Sequence, residues 1–203
     1  MKLVAFDIGN VLVDVNFEPF VDYLKTYIEE PLFWLDTIHA LHDVGHISMK
    51  QAFASKKELK EYVPNLLEAW SQVVVPKEDM VNFALELQLS KKHKFALWSN
   101  MGIEHYTYLK NHEKMNKIFN KFINHLSFQV GARKPTKLFY QSFNYQYPYF
   151  TDILFIDDLE ANLNHNWIDY SLPEHIIYST IKFDETDIES SQREIEIILG
   201  KYL

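Results

Sequence analysis

Along the chain, short runs of consecutive apolar residues closed by polar ones alternate with longer stretches in which apolar residues recur every three or four positions. Leu3 to Phe6, Phe95 to Trp98, Ile153 to Ile156 and Ile176 to Tyr178 have the length and continuous apolar character of strands buried on both faces. A fifth, less regular run covers Leu126 to Val130. From Lys77 to Lys91, Met80, Phe83, Ala84 and Leu87 fall at helical spacing, and Pro135 to Tyr145 predicts a helix with proline in its first turn. A last helix, about Asp187 to Leu199, places Ile188, Ile195, Ile198 and Leu199 on one stripe. Strands alternating with helices predict an α/β domain built on a doubly wound parallel sheet.

The interval from Phe6 to Phe95 is far longer than one crossover helix requires and carries no convincing strand pattern. From Phe17 to about Ser71 it is rich in aromatic and aliphatic residues at helical spacing, with breaks near Pro31, Gly45 and Pro64. The pattern predicts a small helical cap over 15–75, inserted into a core made of 1–14 and 76–203.

Composition narrows the function classes. The 203 residues suit one domain plus an insertion, and 47% hydrophobic with 24% charged residues excludes a disordered or low-complexity chain. Lys and Arg number 20 against 28 Asp and Glu, a net charge of -8 that argues against nucleic-acid and anionic-membrane partners. The short basic runs, Lys56-Lys57 and Lys91 to Lys94, read as solvated helix faces. Without cysteine there is no disulfide scaffold, thiolate zinc site or cysteine nucleophile. No stretch approaches the roughly 18 apolar residues of a membrane helix. Asp7 falls too early for the apolar core of a signal peptide, so a cytoplasmic protein is expected. The five glycines form neither a Walker nor a dinucleotide-binding pattern.

In open parallel sheets ligands gather at the carboxyl ends of the strands. There the predicted strands deliver Asp7, then Ser99 and Asn100, then Asp157 and Asp158, while Gly131-Ala132-Arg133-Lys134-Pro135 sets a lysine at a loop-to-helix junction. Hard carboxylate oxygens suit magnesium, and a hydroxyl with a cation suits the remaining oxygens of a phosphoryl group. Taken singly, each of these residues is an ordinary turn or cap residue; the ordered set is what points to a site.

The set FDIGNVLVD, LWSN, RKP and FIDD resembles the four ordered motifs of the haloacid dehalogenase-like (HAD) hydrolase superfamily, over residues 3 to about 162. The opening DxGNVLVD and the stretch His42 to Ser48 further resemble its small-cap branch, which includes sugar-phosphate phosphatases and the phosphatase domain of soluble epoxide hydrolases. The resemblance implies a Rossmann-like core and a small phosphate ester as substrate. It implies Asp7 as the nucleophile that becomes an aspartyl phosphate, Ser99 and Asn100 as phosphoryl-binding groups, and Lys134 as the neutralising cation. Magnesium would be held by Asp7, Asp158 and the backbone carbonyl of Gly9, with Asp157 as ligand or support. Where the superfamily's usual first motif is DxD, this chain has Gly9, so the general acid/base is unassigned; Asp14 is the next carboxylate along.

On the cap side, His39, His42 and His46 have spacings of three and four that would align them on a continuous helix, but Gly45 interrupts it and no further ligand set completes a zinc site. His42, Asp43 and His46 are better read as a cap segment facing the substrate, with Arg133 as a further contact. Two other functions compete with a magnesium-dependent phosphatase. A haloacid dehalogenase shares the nucleophile but needs no metal, which the pair Asp157-Asp158 argues against. A degenerate HAD fold serving as a binding module is kept open by Gly9. Neither the substrate nor the oligomeric state is legible here.

Overall fold

Five parallel strands form the central sheet of the computed structural model, which describes residues 2–89, 93–164 and 175–200. In chain order they are β1 (Lys2–Phe6), β4 (Lys94–Ser99), β5 (Ile123–Leu126), β6 (Asp152–Asp157) and β7 (Ile177–Lys182), arranged β5-β4-β1-β6-β7. Alternate residues of each strand feed two apolar layers. Val4, Phe6, Leu97, Leu154 and Ile156 pack on one face with α5 (Glu78–Leu89), α6 (Ile103–Lys110), α7 (Glu113–Lys121) and the last helix (Ile188–Gly200). Leu3, Ala5, Trp98, Ile153 and Phe155 pack on the other with α9 (Lys137–Gln146). This is the doubly wound α/β arrangement expected. The chain leaves β1 for β4 and β5 on one side, then crosses back to β6 on the other, so the strand order reverses at the carboxyl end of β1 and opens a crevice there.

Within the long interval after β1, residues 15–75 hold four α-helices, α1 (Glu18–Leu24), α2 (Pro31–Asp43), α3 (Met49–Ser55) and α4 (Val63–Ser71). They bury an apolar core of their own, with Phe20, Leu24, Met49, Phe53, Leu66 and Trp70 at its centre. Two of the expected breaks coincide with helix starts, Pro31 and Pro64 both lying in a first turn, and Gly45 follows the end of α2 at φ 74. The interval also contains strands that its sequence does not announce: β2 (Val13–Val15) pairs antiparallel with β3 (Val74–Pro76) at the foot of the insertion. Three residues each are too few to establish a period of two.

Several expectations are corrected. Leu126 to Val130 is not a strand; β5 ends at Leu126, and Ser127–Val130 forms a helical turn, α8, that Gly131 closes at φ 69. The buried Ser127 hydroxyl donates to the Asp43 carbonyl at 2.5 Å and accepts from the Met101 N–H at 2.9 Å, ties that hold the chain out of the sheet. Pro135 precedes α9 instead of entering its first turn, because Thr136, in an extended conformation, is the N-cap. Lys56 and Lys57 lie in the turn after α3, not on a helix face. Lys94 begins β4, while Lys91, Lys92 and the expected end of α5 at Lys91 fall outside the described residues.

Candidate active site

The three central strands release their last residues into the crevice: Asp7 after β1, Ser99 at the end of β4, and Asp157 at the end of β6 followed by Asp158. Lys134 reaches the same point from the loop between α8 and α9. Its ammonium lies 3.1 Å from Asp7 Oδ2 and 2.5 Å from Asp157 Oδ2, with the side chain 1% exposed. Carboxylate oxygens of Asp7, Asp157 and Asp158 all lie within 4.8 Å of one another.

Each group is held by specific partners. Asp157 is saturated: its Oδ1 accepts from the Leu159 N–H at 2.8 Å and from Asn162 Nδ2 at 2.9 Å, and its Oδ2 takes Lys134. Asp158, half-buried, accepts from Asn10 Nδ2 at 3.0 Å. Asn10 is the one non-glycine residue with positive φ, 52, among the described residues, a conformation asparagine tolerates. Its carbonyl accepts from the Lys77 ammonium at 2.7 Å. Asn100 binds the backbone of Lys134 twice, accepting its N–H at 2.7 Å and donating to its carbonyl at 3.0 Å. Asn100 therefore sets where the lysine stands.

The electrostatics are set by burial and crowding. Burial pushes the Asp7 carboxyl up to about 7; Lys134 and the Ser99 hydrogen bond pull it down, while Asp157 and Asp158 push it further up. Burial pulls the Lys134 ammonium down, yet Asp7 and Asp157 outweigh it and hold the group above the usual lysine value. One ammonium faces three carboxylates, so negative charge is in excess. Asp7, Asp157 and Asp158 form an all-oxygen cluster that fits a hard divalent cation, which would supply the missing positive charge; the Gly9 carbonyl accepts from the Val11 N–H at 2.7 Å.

The insertion closes the crevice from above. A cavity of about 130 Å³ is lined on the core side by Ile8, Gly9, Ser99 and Asn100 and on the cap side by Phe17, His39 and Asp43. Asp43 is 3% exposed; its Oδ1 lies 3.6 Å from His39 Nε2 and its Oδ2 lies 3.5 Å from an Arg133 nitrogen. His42 turns away into the interface, where its Nε2 meets Glu104 Oε2 at 2.8 Å and its ring lies over Gly102. His46 is exposed in the turn after α2 and does not line the cavity. His39 and His42 share α2, but His46 lies beyond its end, so the three do not form one ligand set; the acidic triad alone meets metal-site spacing among the described residues.

No protein-family model matches the chain, and no curated protein does. Solved structures do. A HAD family enzyme from Bacteroides thetaiotaomicron, solved as an aspartate-to-alanine mutant in complex with magnesium and inorganic phosphate, superposes with a TM-score of 0.74 at 18% identity over 91% of this chain and 95% of that one. The fold is that of the HAD-like hydrolases. A predicted HAD-like family hydrolase from Porphyromonas gingivalis matches with a TM-score of 0.71 at 18% identity, over 96% and 98% of the two chains. L-2-haloacid dehalogenase from Xanthobacter autotrophicus, with chloropropionic acid covalently bound, gives 0.57 at 13% identity, over 94% and 81%.

Sequence reasoning missed several residues of this site. Asn10 carried a usable signal, since an asparagine following a glycine at a strand end suits a left-handed turn. Asn162 and Glu104 carried none, because each gains its partner only through the packing of separate elements; His39 is set aside with the histidine spacing, although Asp43 stands one turn further along the same helix. Asp14, the nearest spare carboxylate, lies in β2 between inward-facing Val13 and Val15, is exposed, and pairs with Lys77 at 3.3 Å.

Proposed function

We propose that the chain is a magnesium-dependent phosphatase that hydrolyses a small phosphorylated metabolite, with sugar phosphates the first class to test. The observation that carries this reading is the meeting of Asp7, Lys134 and Asp158 at one sheet edge, a carboxylate set between a cation and a cluster of oxygen donors. In it, an Asp7 carboxylate oxygen attacks phosphorus, the ester oxygen departs, and water then hydrolyses the aspartyl phosphate. A carboxylate approaching a phosphate dianion meets like-charge repulsion, which the Lys134 ammonium offsets, while the Ser99 hydroxyl donates to a phosphoryl oxygen. Asp7, Asp158 and the Gly9 carbonyl would hold magnesium, whose charge would neutralise phosphoryl oxygens. Asp157, with its oxygens committed to Lys134, Leu159 and Asn162, acts as the support that fixes the lysine. The helices of 15–75 form the cap that selects the leaving group, with Asp43, Arg133 and His39 toward it and His42 bracing the junction.

The neighbour crystallised with magnesium and inorganic phosphate supports this reading over a dehalogenase. So does the excess of carboxylates, which would oppose an anionic haloacid without a metal. The test is a panel of phosphate monoesters assayed with and without magnesium, alongside halide release from 2-haloacids. Magnesium-dependent phosphate release supports the proposal; halide release, or no turnover of any ester, rejects it.

A further inference from the structure

The departing oxygen of an alkyl phosphate needs a proton, and a positioned general acid typically contributes about 10² to 10⁴ in rate. Gly9 supplies none, and Asp14 faces solvent. The cavity adjoins the strand ends through Ile8, Gly9, Ser99 and Asn100, and the titratable groups lining it among the described residues are His39, Asp43 and His105. His105 is spent: its Nε2 is 2.9 Å from the Trp70 carbonyl, and burial pushes the ring down to about 4, so it is neutral near pH 7. Asp43 has its two oxygens turned to other side chains, Oδ1 toward His39 at 3.6 Å and Oδ2 toward Arg133 at 3.5 Å.

Resting on the phosphatase reading, we infer that His39 is the proton donor to the leaving group, with Asp43 as its positioning residue and Arg133 fixing Asp43. His39 Nε2 faces Asp43 Oδ1, which leaves Nδ1 as the nitrogen that exchanges protons. As the Asp7 oxygen–phosphorus bond forms and the bond from phosphorus to the ester oxygen breaks, Nδ1–H passes its proton to that oxygen and the alcohol leaves. The neutral Nδ1 then takes a proton from the water that attacks the aspartyl phosphate, restoring the imidazolium and releasing phosphate. Packing supports a fixed ring: the Phe17 ring meets His39 edge-on at 5.7 Å and the Trp70 ring at 6.2 Å. Burial holds the His39 imidazole below the ordinary histidine value, Asp43 and Asp36 offsetting only part of that and His42 and Arg133 adding to it; a phosphate dianion entering the cavity favours the charged form.

The experiment compares kcat/KM for an alkyl phosphate and for 4-nitrophenyl phosphate, whose leaving group needs little protonation, in the full chain with magnesium. His39→Gln should lose at least tenfold more on the alkyl ester than on the aryl ester, and Asp43→Asn should show the same bias more weakly. Equal losses on both esters overturn the assignment. Should His39→Gln fail to fold, the wild-type pH profile decides: kcat/KM for the alkyl ester should fall on the alkaline side through an ionisation that the aryl ester does not show, and identical profiles overturn it. A wild type inactive on both esters removes the phosphatase reading itself, an outcome distinct from an active wild type whose His39 variant shows no bias.

Discussion

Asn100 grips the backbone of Lys134 from both sides, taking its N–H at 2.7 Å and giving its own amide to the lysine carbonyl at 3.0 Å. The two residues belong to different strand–helix units, so this pair couples the edge of β4 to the loop that delivers the cation. The ammonium then stands between Asp7 and Asp157 because its backbone is fixed, not only because opposite charges attract.

If that coupling positions Lys134, Asn100→Ala should leave the charge in place but let it wander. We expect kcat to fall by about 10²-fold, the scale of a misplaced catalytic group, with a smaller change in KM. Steady-state kinetics on whichever phosphate ester the wild type turns over checks this; an unchanged kcat would mean the loop holds itself.

Asp7→Asn should abolish turnover while the fold survives, since the amide is nearly isosteric and relieves the crowding of three carboxylates. Removing a buried, desolvated carboxylate should leave the melting temperature equal or higher, provided Lys134 keeps Asp157. Asp157→Asn should do the opposite: with both oxygens committed, its loss leaves a buried ammonium short of a partner, at a cost of about 3 to 5 kcal/mol. Thermal and urea unfolding of the two variants distinguish the roles.

Asp158→Asn should raise the magnesium concentration needed for half-maximal activity without large loss of stability, because Asp158 is half-buried and its hydrogen bond from Asn10 survives with an amide oxygen as acceptor. Chelation should remove activity in the wild type and magnesium restore it. A variant with unaltered magnesium dependence would rule out Asp158 as a ligand.

The cap–core junction predicts a steric coupling. A methyl group at residue 102 would lie 1.8 Å from His42 Cε1, so Gly102→Ala must displace the ring and break its contact with Glu104. Overpacking of this kind costs about 1 to 3 kcal/mol. Trimming the ring by His42→Ala in the same protein should recover part of that loss, and a double-mutant cycle with no coupling would contradict the packing seen.

His125 sets a pH dependence away from the active site. Its Nε2 donates to the Phe139 carbonyl at 2.8 Å, and burial holds the ring down at about 4 against 6.5 for an ordinary histidine. Below 6.5 the unfolded chain takes up a proton that the folded one refuses, so stability falls as pH drops from 6.5 toward 4 and is unaffected above that window. The slope from this one residue approaches about 1.4 kcal/mol per pH unit. Urea unfolding at pH 7, 6 and 5 should show a smaller pH-dependent loss in His125→Asn than in the wild type; parallel losses would exclude His125 as a source.

What the chain could announce by itself was whatever rests on local periodicity. Leu3 to Phe6, Phe95 to Trp98 and Ile153 to Ile156 read as buried strands because parallel strands covered on both faces must be apolar throughout. Once their order was legible, Asp7, Ser99 and Asp157 fell at strand ends by position alone. The insertion showed as an interval too long for a crossover. Tertiary structure decided the rest. Ser127 leaves the sheet for a helical turn because its hydroxyl is held by Met101 and Asp43, partners distant in sequence. Which cap residues face the cavity was likewise beyond periodicity. His39, His42 and His46 look alike along the chain, yet one lines the cavity, one braces Glu104 and one meets solvent. The docking of α2 on the core fixes that difference, since a side chain's direction follows from the helix's rotation against its neighbours and not from the spacing of its residues.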